Sequence, residues 1–276
     1  MKREDFYWLT GLIAAGILLW AREFQRTALP AADTLPLILA FPLFIMLGSP
    51  WTWKQNKTAL PLLPLLACLA VAVGGELTGS GFLSALAWTG GLGVWLHSRV
   101  ETPDKVRLSR LLVLTVLGFP WLVGAAGGLG WQFRESAAWV AEMVFTKAGF
   151  ALTREGTLLS VQGETLFVEA ACAGLGSLQA MLLAGAAAAG IELGRSRKFW
   201  FCLPFLFVAA WFANTLRVLI ISAAALSAGH EFASGPFHGF TGWLVLVIVF
   251  SVCLTLFRVL GRPHVRRVIF RQPLPV

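Results

Sequence analysis

Three residues in the second half of the chain are of types that together can break and remake an amide bond. Cys172 stands in VEAACAGLGSLQ (168–179), Arg217 in WFANTLRVLIIS (211–222) and His238 in GPFHGFTGW (235–243). A free thiol titrates near pH 8.5 and is a poor nucleophile at neutral pH unless its anion is stabilised. The first turn of a helix offers unpaired N–H groups and a positive dipole end, and an arginine adds a permanent charge. An imidazole can take a proton and later return it to a leaving amine. The guanidinium can alternatively donate to the oxyanion of a tetrahedral intermediate. Around Cys172, Ala170, Ala171, Ala173 and Gly174 leave room for a substrate backbone to approach. Asn214 lies three residues before Arg217 on one helical face, where it can orient the guanidinium. His230 is the alternative base, in a less constrained loop position.

Taken singly, each residue has a plainer reading. A cysteine at a helix start commonly packs as a small hydrophobe, an arginine in an apolar segment snorkels, and a histidine beside glycines belongs to a loop. Charge inside a membrane span is functional by default, however. What brings the three together is the arrangement of the spans.

The 276 residues are 57% hydrophobic and only 13% charged, where a soluble domain carries about a quarter. A bilayer core of ~30 Å needs roughly 17–25 apolar residues per helix. Eight stretches meet that need, at about 5–22, 32–50, 59–76, 81–97, 108–129, 172–192, 199–221 and 239–258. The expected fold is therefore an all-α polytopic membrane protein, one integral membrane domain over 1–276. The second and third spans hold Pro36, Pro42, Pro61 and Pro64 and are expected to kink. The first lacks a small-residue cleavage site and reads as a retained helix. With the N-terminus inside, 16 of the 22 Lys and Arg residues fall in cytoplasmic segments. Both termini are then cytoplasmic, and 259–276 is a basic cytoplasmic tail. The net charge of +8 suits an anionic inner leaflet and needs no nucleic acid. In this orientation Cys172 opens the sixth span, Arg217 lies near the outer end of the seventh and His238 opens the eighth. All three share one depth on the extracytoplasmic side.

The one large outer segment is 130–171. Its first half, WQFRESAAWVAEMVFTKAGF, places Trp131, Ala138, Val140, Ala141, Val144, Phe145 and Ala148 near one face. That pattern fits an interfacial helix before the sixth span, or equally a connector helix packed on the other spans. Its second half is rich in β-formers around Gly163 and reads as a short extracytoplasmic β-hairpin at about 157–161 and 165–169, which must pack on the bundle. Cys68, Cys202 and Cys253 sit inside apolar spans at no metal-ligand spacing, so neither a metal nor a cofactor is expected.

At these residues the sequence resembles the exosortase/archaeosortase family of membrane-embedded cysteine transpeptidases. The resemblance rests on Ala171-Cys172-Ala173-Gly174 after a short β segment, on Ala213-Asn214-Thr215-Leu216-Arg217, and on His238 followed by Gly242-Trp243. It covers about 165–245 and makes 172–258 the catalytic helices. Ala173 departs from the serine found in many members. The resemblance implies cleavage of a C-terminal sorting signal of the PEP-CTERM kind on exported proteins: a short motif, a transmembrane helix and a basic end. It further implies a Cys thioester and transfer to an amine acceptor on a lipid or cell-surface glycan. Cys172 would be the nucleophile, Arg217 the transition-state stabiliser and His238 the acid/base.

Three readings compete. In a transporter or channel, Arg217 would bind an anion and Cys172 would be incidental, but no internal repeat or matched pair of broken helices is visible. A non-catalytic assembly protein is another. An intramembrane serine protease, suggested by ASGP at 233–236, would need a partner histidine on another span.

Overall fold

The computed structural model describes residues 3–27, 31–54, 59–101, 105–124, 126–161, 164–167 and 175–262. The helices are α1 (Arg3–Thr27), α2 (Ala31–Gly48), α3 (Leu62–Thr78), α4 (Gly81–Arg99), α5 (Lys105–Leu117), α6 (Trp121–Gly124), α7 (Ala126–Lys147), α8 (Leu175–Glu192), α9 (Phe199–Ala228), α10 (His230–Ser234) and α11 (Pro236–Gly261). A two-residue pair, β1 (Thr52–Trp53) with β2 (Val100–Glu101), ties the α2–α3 connection to the end of α4. Three strands, β3 (Leu152–Glu155), β4 (Leu158–Val161) and β5 (Glu164–Phe167), form one antiparallel sheet in the order β3-β4-β5.

Local chemistry sets several boundaries. Gly79 takes φ +65, a left-handed conformation that ends α3, and Ser80 then caps α4 through Oγ to the Leu83 N–H. Pro236 occupies the first turn of α11, where no helical N–H is needed. The kink expected from Pro61 does not arise, because Pro61 precedes α3 and Pro64 falls in its first turn.

The stretch read as a fifth span is broken. α5 stops at Leu117, Gly118–Pro120 form a turn around the fully buried Phe119, and α6 and α7 follow. α7 then runs beside α9 in the same direction, with Phe133 on Phe207 and Ser136 accepting from the Trp211 indole. Ala137, Ala138, Ala141 and Phe145 join Val218 and Leu159 in a cluster of their own. This is the packed connector of the two sequence readings. Its inward face matches the expected one in part: Ala138, Ala141 and Phe145 are buried, whereas Trp131 and Val144 are exposed. Leu159 anchors the sheet on that cluster, and Arg154 ties it to α7 through Glu142 at 2.9 Å.

The main core lies between α5, α8, α9 and α11, with Leu111, Leu114, Leu178, Met181, Leu206 and Val249 among its members. Facing outward are large apolar side chains, such as Leu63 and Leu77 on α3 and Trp243, Val247 and Val252 on α11. Apolar faces on both sides of a helix suit lipid rather than water. By length and composition α9 and α11 can each cross a bilayer, and shorter apolar stretches lie at Leu37–Gly48, Leu62–Thr78 and Leu178–Glu192. These observations make the chain a largely helical membrane protein.

Candidate active site

Two of the three candidate residues lie in described helices. Arg217 is in the C-terminal half of α9, and His238 is the third residue of α11, its backbone N–H donating to Gly235 O at 3.0 Å. Cys172 and Gly174 lie outside the described residues, and α8 starts at Leu175. The stretch between the seventh and eighth sequence spans, where His230 was expected in a loop, is helical nearly throughout. α9 continues to Ala228, and His230 opens α10. Gly229, at φ +90, makes the sharp change of direction between them.

The register of α8 on α9 fixes the depth of Arg217 against the start of α8. α8 and α9 are joined by a short turn and run antiparallel. Gly185 abuts Leu206 so closely that a Cβ there would lie 2.3 Å from Leu206 Cδ2. Counting about ten residues along each helix from that contact, at equal rise, brings the turn of α9 with Arg217 level with Leu175, where α8 begins.

α11 meets Arg217 from the other side. A Cβ added at Gly242 would lie 3.0 Å from Arg217 Cζ, 3.1 Å from Nε and 3.4 Å from Nη1. The guanidinium thus rests directly on the α11 backbone, in space that only glycine leaves free. His238 is one helical turn away on the same helix, ~6 Å along the axis. Sequence reading noted Gly242 only as part of a motif. Its spacing of four from His238 was the available signal, but the contact depends on how two helices pack.

Asn214 does not hold the guanidinium. Its Nδ2 and Oδ1, together with Arg217 Nε, are buried without a hydrogen-bond partner among the described residues. Gln179, which the sequence did not single out, is also buried. Its Nε2 donates to Leu117 O at 3.3 Å, fastening α8 to the end of α5, while Oε1 has no partner. Among the described residues no group of three or more His, Cys, Asp or Glu side chains is placed to hold a metal ion.

The arrangement offers a cation seated on α11 and an imidazole a turn away, at the depth where α8 begins. Such a set can stabilise a developing oxyanion and move a proton beside it. No curated protein and no solved structure matches the chain. A family model described as transmembrane exosortase matches residues 4–257. That match extends the resemblance from the last three spans to nearly the whole sequence, and the chain belongs to the transmembrane exosortase family.

Proposed function

We propose that the protein is a membrane cysteine transpeptidase that cleaves C-terminal sorting signals of exported proteins and transfers them to an amine acceptor on a lipid or cell-surface glycan. The family supports a membrane transpeptidase or protease in general. The observation that carries the finer reading is the seat of Arg217 on Gly242, a turn from His238 and level with the start of α8.

In this reading eight spans cross the inner membrane, both termini are cytoplasmic and the site opens on the extracytoplasmic face. The substrate's own transmembrane helix and basic end hold it beside the bundle. The Cys172 thiolate attacks the scissile carbonyl, and Arg217 balances the oxyanion. As the C–N bond breaks, His238 donates the proton that the departing amine needs, leaving a thioester on Cys172. The acceptor amine attacks that thioester, His238 removes its proton, and the thiolate leaves to restore the enzyme. Arginine is not a base at any accessible pH, since its pKa exceeds ~12, so the proton belongs to histidine.

The test is processing in cells of a protein bearing a motif–helix–basic-tail signal. Cys172→Ala should leave the full-length precursor in the membrane, with the variant enzyme present at normal level. Unchanged processing would overturn the enzyme reading and favour a transporter, in which the thiol is incidental.

A further inference from the structure

Within one turn of α9, three buried polar atoms have no hydrogen-bond partner among the described residues: Nδ2 and Oδ1 of Asn214 and Nε of Arg217. Asn214 is 3% exposed. A buried amide with neither hydrogen bond made lowers stability, and low-dielectric surroundings deepen the cost. Such a cost is tolerated where the missing partner arrives with a ligand.

The kind of ligand follows from the count of donors and acceptors. Asn214 needs one acceptor and one donor from its partner, and this holds whichever way the amide is flipped. An anion supplies acceptors only, so it would satisfy Arg217 and Nδ2 but leave Oδ1 bare. An extended peptide supplies both, because the C=O and N–H of one residue point to the same side of the chain.

Direction agrees with this. Side chains turn by ~100° per residue around a helix. Leu206 faces α8 at Gly185, whereas Phe207, Trp211 and Val218 face α7 or its cluster. Asn214 projects between these two stripes, into the wedge between α7 and α8.

We infer that Asn214 is a seat for the main chain of one substrate residue in extended conformation, accepting that residue's N–H at Oδ1 and donating from Nδ2 to its C=O, beside Arg217. This rests on the peptide-processing reading above and adds the residue that fixes the strand of substrate next to the nucleophile. Asn214 is thus a substrate-binding residue that is not satisfied until substrate binds.

The test uses the full chain in lipid nanodiscs with Cys172→Ala to block turnover. The probe is a synthetic peptide carrying Pro-Glu-Pro, an apolar segment of ~20 residues and a terminal Arg cluster. Asn214→Leu, nearly the same shape, should raise the thermal midpoint of the ligand-free protein by about 2–4 °C. It should weaken peptide binding by about tenfold, the loss of two hydrogen bonds. N-methylating the peptide backbone at successive positions should weaken binding to the Asn214-containing protein at one position, and that penalty should vanish in Asn214→Leu. A lowered thermal midpoint in Asn214→Leu would assign the residue a structural partner and overturn the seat. Equal peptide affinity with and without Asn214 would overturn it too, while leaving the enzyme reading standing. Failure of the Asn214-containing protein to bind the peptide at all would instead overturn the reading on which it rests.

Discussion

Two arginines stand at opposite ends of the α8–α9 pair, and their surroundings are opposite in kind. Arg110 is 6% exposed, donates through Nη1 to Leu193 O and Gly194 O where α8 ends, and lies 5.9 Å over the Phe199 ring. Its charge is spent on carbonyls at a helix C-terminus, where the dipole favours a cation. At the other end the half-buried Arg217 rests on a glycine, and among the described residues its Nε and both polar atoms of the neighbouring Asn214 have no hydrogen-bond partner. Buried charge whose donors are engaged holds a fold together. A half-buried charge held in shape with a donor left open is available to a reacting group.

The sharpest way to break this contrast is to substitute each arginine and read rate and stability separately. Arg217→Lys keeps the charge but loses the planar fork. It should cut processing by a factor of ~10²–10³ while the thermal midpoint stays unchanged. His238→Ala should fail to a similar degree, and His230→Ala should be much milder. Arg110→Leu should do the reverse. Leaving two carbonyls without their donor costs ~1–3 kcal/mol, a fall of roughly 3–10 °C in thermal midpoint, with the rate per folded molecule preserved. If Arg110→Leu is stable but slow, the division between the two ends is wrong.

Next in size is the glycine under the guanidinium. In Gly242→Ala the new methyl must displace Arg217 by a few tenths of an ångström or push α11 away. Misplacement of this order should lower the single-turnover rate by about tenfold. Gly242→Val should be worse. Gly239→Ala, one turn-step away with open space around a new Cβ, is the matched control and should process normally. A Gly242→Ala enzyme of full rate would show that Arg217 does not act from this seat.

Much of this was legible from residue types alone, and the parts that were not share a cause. Arg217 and His238 stood out because charge and imidazole are conspicuous in apolar sequence. The seat on Gly242 was invisible because it depends on how α9 and α11 are set against each other. The inward face of α7 was partly misjudged because apolar residues suit lipid and protein neighbours alike. Periodicity therefore does not distinguish Trp131 and Val144, which face out, from Ala137 and Phe133, which face in. The break after α5 was signalled by Phe119-Pro120 but hidden inside a continuous apolar run. SAAALSA, read as part of a loop, continues α9 because alanine is the strongest helix former. The opposite surroundings of the two arginines could only come from structure, since the sequence shows two arginines of equal standing.

The thiols offer a comparison of similar size. Cys202 and Cys253 are 4% and 1% exposed in the core of α9 and α11, and Cys68 lies on the apolar α3. If Cys172 is the activated thiol, a membrane-impermeant alkylating reagent applied from the extracytoplasmic side at neutral pH should modify it at least about tenfold faster than the other three. Replacing Arg217 by leucine should slow that labelling without changing the others. Equal rates at all four cysteines would make Cys172 structural.

The smallest expected effect concerns the sheet that precedes Cys172. Glu142 and Arg154 join α7 to β3 at 2.9 Å, with side chains 33% and 22% exposed, and Arg154 also donates to Gly156 O at 2.9 Å. A partly solvated pair of this kind contributes at most ~1 kcal/mol, and Arg154 keeps its carbonyl partner when the carboxylate goes. The firmer attachment is Leu159, fully buried against the α7–α9 cluster. Glu142→Gln should therefore move the thermal midpoint by no more than about 2–4 °C and leave processing within about twofold. Leu159→Ala, which opens a cavity, should cost more in stability, ~2–5 kcal/mol. The informative outcome is a divergence between them. If Glu142→Gln leaves stability intact yet cuts processing tenfold, the sheet does more than hold the chain in place: the position of β3 against α7 then sets where Cys172 meets Arg217, and the boundary between support and site moves out from α9 to the sheet.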